Sequence, residues 1–226
     1  MAIDIDICYC AAGNRRFAEI AINNGFLYGA QMPRTAYFPP WFCDNDWKRP
    51  ERDRYMAALA QHRPYMASVL DLERHEQLDE VLSWSEEAAR FVEVIMIIPK
   101  VFGIIESLPR TIAGKSVRLG YSVPTRFGGT ELPLWEFGGW PVHLLGGQPQ
   151  IQMDLARYMD VRSVDGNYAQ KMAIEYGQFW SNRGVKNSAN KFWPKLNEAG
   201  LGTDNADRPY IAFELSCQNI MKAWKN

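Results

Sequence analysis

The chain has 226 residues, 47% of them hydrophobic, enough to bury a substantial core in one large or two small domains. Lys and Arg number 25 against 26 Asp and Glu, a formal net charge of -1, so no global field draws in nucleic acid and any polyanion site must be local. The longest apolar run, "VEVIMIIP", is far too short to span a bilayer, which argues against membrane insertion.

Strand-like and helix-like patterns alternate along the chain, as in βα units around a parallel sheet. "IDIDICYC" predicts a strand over 3–10, and "NRRFAEIAINNG" a helix with Asn14 as N-cap and Gly25 as its terminating glycine. "FLYGAQ" predicts a strand over 26–31. The prolines of "PRTAYFPPWFCDNDWKRP" remove donors and restrict the residues before them, so this stretch is expected to be a long irregular loop. It offers aromatic faces and a local basic run to a single strand or flipped base, or else packs as a lid. "ERDRYMAALAQH" is helical, "YMASVLD" is a strand over 65–71, and "HEQLDEVLSWSEEAARF" is a helix with Leu78, Val81, Leu82, Ser85 and Ala88 on one face. "EVIMII", over 93–98, is apolar on both alternating sets, like a strand buried between layers. Further strands are expected over 117–122, 141–146 and 161–164. "NYAQKMAIEYGQFW" and "YIAFELSCQNIMKAW" read as helices, the last with Tyr210, Phe213, Cys217, Ile220 and Trp224 on one stripe.

Seven strands separated by helices predict a compact α/β fold, a TIM-type (β/α)8-like barrel with one degraded βα unit, forming a single domain over 1–226. A doubly wound open sheet is the alternative. The first βα turn, "AAGNRR", lacks the glycine spacing of a dinucleotide fingerprint, and no cofactor is expected. Cys8, Cys10, Cys43 and Cys217 lack paired C-x-x-C spacing, and no basic segment with an apolar core opens the chain as a signal peptide. Reduced thiols in the cytoplasm and no structural zinc are therefore expected. His62, His75 and His143 match no zinc spacing and are read as surface or core residues, so no metal site is expected.

In either architecture a ligand meets the carboxyl ends of the strands. The residues there are Gly29 and Gln31, Asp71, Lys100, Tyr121 and Ser122, Gly146, Gly147 and Gln148, and Asp165 and Asn167. A lone Asp at such a place can simply cap the next helix. Two of them beside "LLGG", whose glycines admit a flat ligand to the backbone, point to function instead.

The residues also carry a resemblance. "HLLGGQPQIQMDLARYMDVRSVDGN" resembles the C-terminal barrel units of tRNA-guanine transglycosylases, where a glycine-rich strand and turn precede a helix and a strand ending in an aspartate nucleophile. "VLDLERHEQLDEVLSWSEEAARF" is similar to that family's strand ending in a base-binding aspartate, and "VRLGYSV" to the strand whose glycine lies beside the base. These three units are about half of the chain, and within the superfamily they look most like the compact bacterial and phage proteins grouped with 7-deazaguanine DNA transglycosylases. The resemblance implies that Asp165 is the nucleophile, that Asp71 is the base-binding carboxylate of the catalytic pair, and that Gly120 borders the base. It implies a flipped or single-stranded guanine nucleotide of DNA as substrate, exchanged for a 7-deazaguanine such as preQ0 in a bacterial cytoplasm. The family's "DSGGF" motif, bearing the acid that assists base departure, is absent; the corresponding strand reads "FLYGAQMP", which leaves Asp44, Asp46 or Gln31 to carry the proton. The family's C-terminal zinc ligands and tRNA-contacting subdomain are also missing, which argues against tRNA.

The chemistry can be stated apart from the name. Breaking an N-glycosidic bond builds oxocarbenium character at C1′, which a carboxylate on one face can trap. Asp165 is expected to face Asp71 across a flat pocket bordered by Gly120, Gly146 and Gly147, with Gly166 freeing the turn and Gly147 replaceable at little cost in stability. Hydrolysis by a DNA glycosylase or nucleoside hydrolase, and a catalytically inactive nucleic-acid-binding barrel, are the alternatives.

Overall fold

A computed structural model describes residues 5–10, 14–125, 128–183, 188, 190–202 and 206–225. Its parallel strands are β1 (Asp6–Cys10), β2 (Leu27–Met32), β3 (Phe42–Asn45), β4 (Met66–Leu72) and β5 (Val94–Pro99), and, beyond the two-residue β6 (Thr111–Ile112), β7 (Lys115–Ser122), β8 (Pro141–Leu145) and β9 (Asp160–Gly166). Each pairs in parallel with the next around a ring, β5 with β7 and β9 back to β1, so the sheet closes as an eight-stranded α/β barrel. β6 pairs antiparallel with β7 and stands outside the ring. The closure excludes the open doubly wound sheet.

β3 lies inside the stretch expected to be irregular. Its ladder begins at Trp41, the first residue after Pro39 and Pro40 with an N–H to give: Trp41 N donates to Tyr28 O at 2.7 Å, and Met66 N donates to Trp41 O at 3.0 Å. The next proline is Pro50, so the run between has room for four paired residues. The prolines bound a strand here instead of forbidding one.

The degraded unit is therefore not a lost strand. Helices α1 (Arg15–Asn23), α2 (Arg52–His62), α3 (Leu78–Ala88), α4 (Pro149–Leu155) and α5 (Tyr168–Tyr176) follow β1, β3, β4, β8 and β9. After β2, β5 and β7 the described chain holds only loops, short 3-10 turns and β6. All eight strands fit into 226 residues because these three units have shed their helices.

Local signals set the helix ends. The Asn14 side chain accepts from Arg16 N at 2.9 Å, and Gly25, at φ 89°, closes α1 as Phe26 N reaches back to Ala21 O at 3.0 Å. α5 is shorter than its sequence pattern, because Gly177 adopts a left-handed φ of 59° and stops it. The C-terminal α6 (Arg208–Lys225) lays Phe213 against Tyr9 and Phe17, with ring centroids 5.3 and 5.1 Å apart.

Two apolar cores result. The larger lies between the outer faces of the strands and the helices, and includes Phe17, Leu59, Val81, Ile97 and Phe213. The smaller, of Cys8, Phe42, Met66, Val94, Met96 and Ile98, fills the barrel. β5 contributes to both and is buried along its whole length. Alternation along each strand therefore puts Asp44, Gly120, His143 and Asp165 on the inner wall.

Candidate active site

The mouth at the carboxyl ends of the strands is an open pocket of about 850 Å³. Gln31, Asp71, Ser122, Gly146, Gly147, Asp165 and Asn167 line it, together with Asp44, Asn45, Trp47 and Lys100. Gly29, Gly120, Tyr121 and Gln148 do not. A Cβ on Gly29 would lie 2.9 Å from Cys8 Sγ, and one on Gly120 2.7 Å from Ile98 Cγ1, so both glycines make room for the apolar barrel filling beneath the pocket. Tyr121 points outward onto Phe137, with centroids 5.3 Å apart. Gln148 sits at the N-cap of α4, where it bonds Tyr168 and Trp193.

Asp165 stands one residue before the end of β9. Its Oδ1 accepts from Gly146 N at 3.1 Å and is 3.3 Å from His143 Nε2, while Oδ2 has no hydrogen-bond partner among the described residues. The side chain caps no helix. Gln152 of α4 donates to both the Asp165 and the Gly146 carbonyls at 2.7 Å, tying the ends of β8 and β9 together. Gly146 and Gly147 have φ values of 63° and 83°, a conformation other residues resist. A Cβ on Gly146 would meet open space, but one on Gly147 would lie 2.4 Å from Val123 Cγ1, so Gly147 is a packing glycine, contrary to expectation. Gly166 is not left-handed, and an added Cβ would meet only ordinary contacts, so the turn after Asp165 does not need it.

Beneath Asp165 runs a buried polar chain. His143, fully buried, has Nδ1 2.5 Å from Ser163 Oγ, and Arg118 Nη1 donates to the same Oγ at 2.6 Å. Burial holds the imidazole below its ordinary pKa, against the opposing pull of Asp165.

Asp44, on β3, is the carboxylate whose role the sequence left open. Burial and the charge of Asp165 push its pKa up to about 7, against the lowering effect of the Ser68 hydroxyl, which donates to Oδ1 at 2.8 Å. Asp46, also considered as proton carrier, instead pairs with Arg34 at 3.8 Å and caps Lys48 N. Asp71 faces Lys100 Nζ at 3.9 Å, and Lys100 also donates to Ser122 Oγ at 2.7 Å. Burial raises the Asp71 carboxyl, and the Lys100 charge partly counters it. Asn45 buries both polar atoms of its amide at the pocket wall without a partner among the described residues. A ligand that bonds them removes a penalty of about 1–3 kcal/mol.

Among the described residues, five carboxylates (Asp44, Asp71, Glu73, Glu131, Asp165) and two cations (Arg34, Lys100) line the pocket. That excess suits a ligand rich in N–H donors and disfavours phosphate among these side chains. At the rim Trp47 is 61% exposed, with Lys48 Nζ 5.1 Å from its ring centroid. Among the described residues no three His, Cys, Asp or Glu side chains are grouped to hold a metal, all four cysteines are free, and no helix is long and apolar enough to cross a membrane.

Sequence reasoning missed His143, Ser163 and Arg118 as partners of the site. Alternation along β7, β8 and β9 was the available signal, since it turns all three into the barrel.

No curated protein matches the chain. Among solved structures, monomers of the dimeric phosphoribosylanthranilate isomerase from Thermotoga maritima align over 96% of this chain and 99% of that one, at 8% identity and a TM-score of 0.42. A family model described as a family of unknown function, DUF6610, matches residues 21–225. The chain belongs to the DUF6610 family.

Proposed function

We propose that the protein is a base-exchanging glycosyltransferase acting on the N-glycosidic bond of a guanine-type nucleotide in DNA. One observation supports this reading: two carboxylates, Asp44 and Asp165, line one pocket in different surroundings, which suit them to different tasks. Asp165 is anchored through Oδ1, which accepts from Gly146 N and lies 3.3 Å from His143 Nε2, and keeps Oδ2 free for attack. Asp44, with its pKa near 7, holds a proton to give at neutral pH.

Asp165 Oδ2 attacks C1′ as the C1′–N bond breaks. The bonding electrons leave with the base, which takes the Asp44 proton, and a glycosyl ester of Asp165 remains. A second base attacks C1′, its N–H proton returns to Asp44, and the Asp165 carboxylate is released. The two displacements retain the anomeric configuration. Asp71 accepts N–H bonds from the base, with Lys100 favouring its ionised form. The target nucleotide must leave the duplex stack, and Trp47 offers it a face at the rim. The similarity of the Asp71, Gly120 and Asp165 units to tRNA-guanine transglycosylases supports a 7-deazaguanine, such as preQ0, as the incoming base. Four free thiols suit a cytoplasmic setting.

The test is incubation with DNA and labelled guanine or 7-deazaguanine. Incorporation of label into the polymer is the expected result. Abasic sites without label would replace exchange by hydrolysis, and binding without either product would reduce the barrel to a binding module.

A further inference from the structure

We propose that His143 is a positioning residue for Asp165, locked as the neutral Nε2–H tautomer by the buried Ser163–Arg118 pair. The assignment follows from counting hydrogens. An arginine can only donate, so Ser163 Oγ accepts from Arg118 Nη1 at 2.6 Å. The Ser163 hydroxyl then has one hydrogen of its own, and His143 Nδ1 stands 2.5 Å away to receive it. At the far side of the ring, Nε2 lies 3.3 Å from Asp165 Oδ1, which already accepts from Gly146 N. An ionised carboxylate has nothing to donate, so Nε2 must carry the hydrogen. The reverse tautomer would set a lone pair against a negative oxygen.

An imidazolium is disfavoured by complete burial and by the positive charge of Arg118; Asp165 and Asp6 pull the other way. Arg118 is itself buried, at 9% exposure, which is an unusual place for a guanidinium that only packs. Its donated bond fixes the direction of the whole chain, from β7 through β9 to β8 and back to the mouth at β9. The result is a carboxylate held by one oxygen at a set angle, with the other oxygen presented to the pocket.

The role of this chain in catalysis rests on the proposed glycosyl transfer, but its proton arrangement does not. Long-range 1H–15N spectra of histidine-labelled protein read the tautomer directly. His143 is expected to be neutral with its proton on Nε2 at neutral pH and to hold that form to lower pH than a free imidazole does. Ser163→Ala, which removes only the hydroxyl, should let the Nδ1–H form appear. It should also lower the turnover of base exchange on the order of a hundredfold at unchanged KM, because the nucleophile loses its aim. An Nδ1–H ring or an imidazolium in the wild-type protein at neutral pH would overturn the proposal, as would an unchanged tautomer and turnover in Ser163→Ala. An Nε2–H ring in a protein that exchanges no base would leave the positioning chain standing and refute the glycosyl transfer.

Discussion

Asp165 raises the proton affinity of Asp44: both line the mouth of the barrel, on β9 and β3, and the charge on the first is, after burial, the main force that brings the second to a pKa of about 7. Asp165→Asn keeps the shape and removes that charge. Base exchange should fall on the order of a thousandfold or more. In the same variant the Asp44 titration, followed by carboxyl 13C shifts, should move toward lower pH. An Asp44 midpoint that stays in place would show that the two groups do not sense each other.

The raised carboxyl of Asp44 makes stability fall with rising pH. Its folded pKa of about 7 lies above the ordinary aspartate value of 3.8, so the folded state holds the extra proton between them. The favourable contribution is complete below the lower value and lost as pH climbs through the higher one. Asp44→Asn, whose amide oxygen can still accept from Ser68, should therefore melt higher than the parent at pH 8 but not at pH 4. Thermal unfolding at both values measures the gap.

Gly147→Ala should destabilise the protein by about 1–3 kcal/mol, since its Cβ overlaps Val123 and its φ of 83° disfavours any side chain. Adding Val123→Ala should recover part of the loss in a double-mutant cycle by chemical denaturation. Gly146→Ala, with open space before it, should cost only about 1 kcal/mol while placing a methyl beside Asp165.

Lys100→Met should raise the Asp71 carboxyl further, because the lysine charge is what opposes its burial. Binding of a guanine-type base should weaken, and more so the lower the pH, as protonated Asp71 gives up a charged hydrogen bond. Titration of Trp47 fluorescence across pH would show the weakening ease as pH rises and Asp71 ionises.

The parallel barrel and seven of its eight ring strands were legible because apolar runs and alternation repeat along the chain, as in "EVIMII". β3 was not, since four residues between two proline groups carry too short a pattern to outweigh the prolines. That one omission also left Asp44 as one of three candidate proton carriers, with Asp46 and Gln31, because it becomes a strand-end acid only once its strand is seen. Asp71 and Asp165 were legible as strand ends. Gly29 and Gly120 were misplaced by one layer, because a glycine that admits a ligand and one that admits a neighbouring side chain look alike in sequence. His143 was read only as a surface or core residue, because it fits no zinc spacing and the closed ring is what supplies its partners.

Closure of the ring has a weakest seam. β3 and β4 share two registered pairs, Phe42 with Met66 and Cys43 with Ala67, fewer than any other parallel neighbours in the ring. Side chains stitch it instead: Tyr55 Oη reaches the carbonyls of both Cys43 and Ser68, at 3.1 and 2.6 Å, and Ser68 Oγ accepts from Asn45 N while donating to Asp44. A stave held mainly by three side chains opens at a lower free energy than its neighbours, so its amides should exchange with solvent through local rupture well before the barrel unfolds. The same hydroxyl that closes this seam donates to the proton-bearing acid, so a rupture there also takes from Asp44 its hydrogen-bond donor.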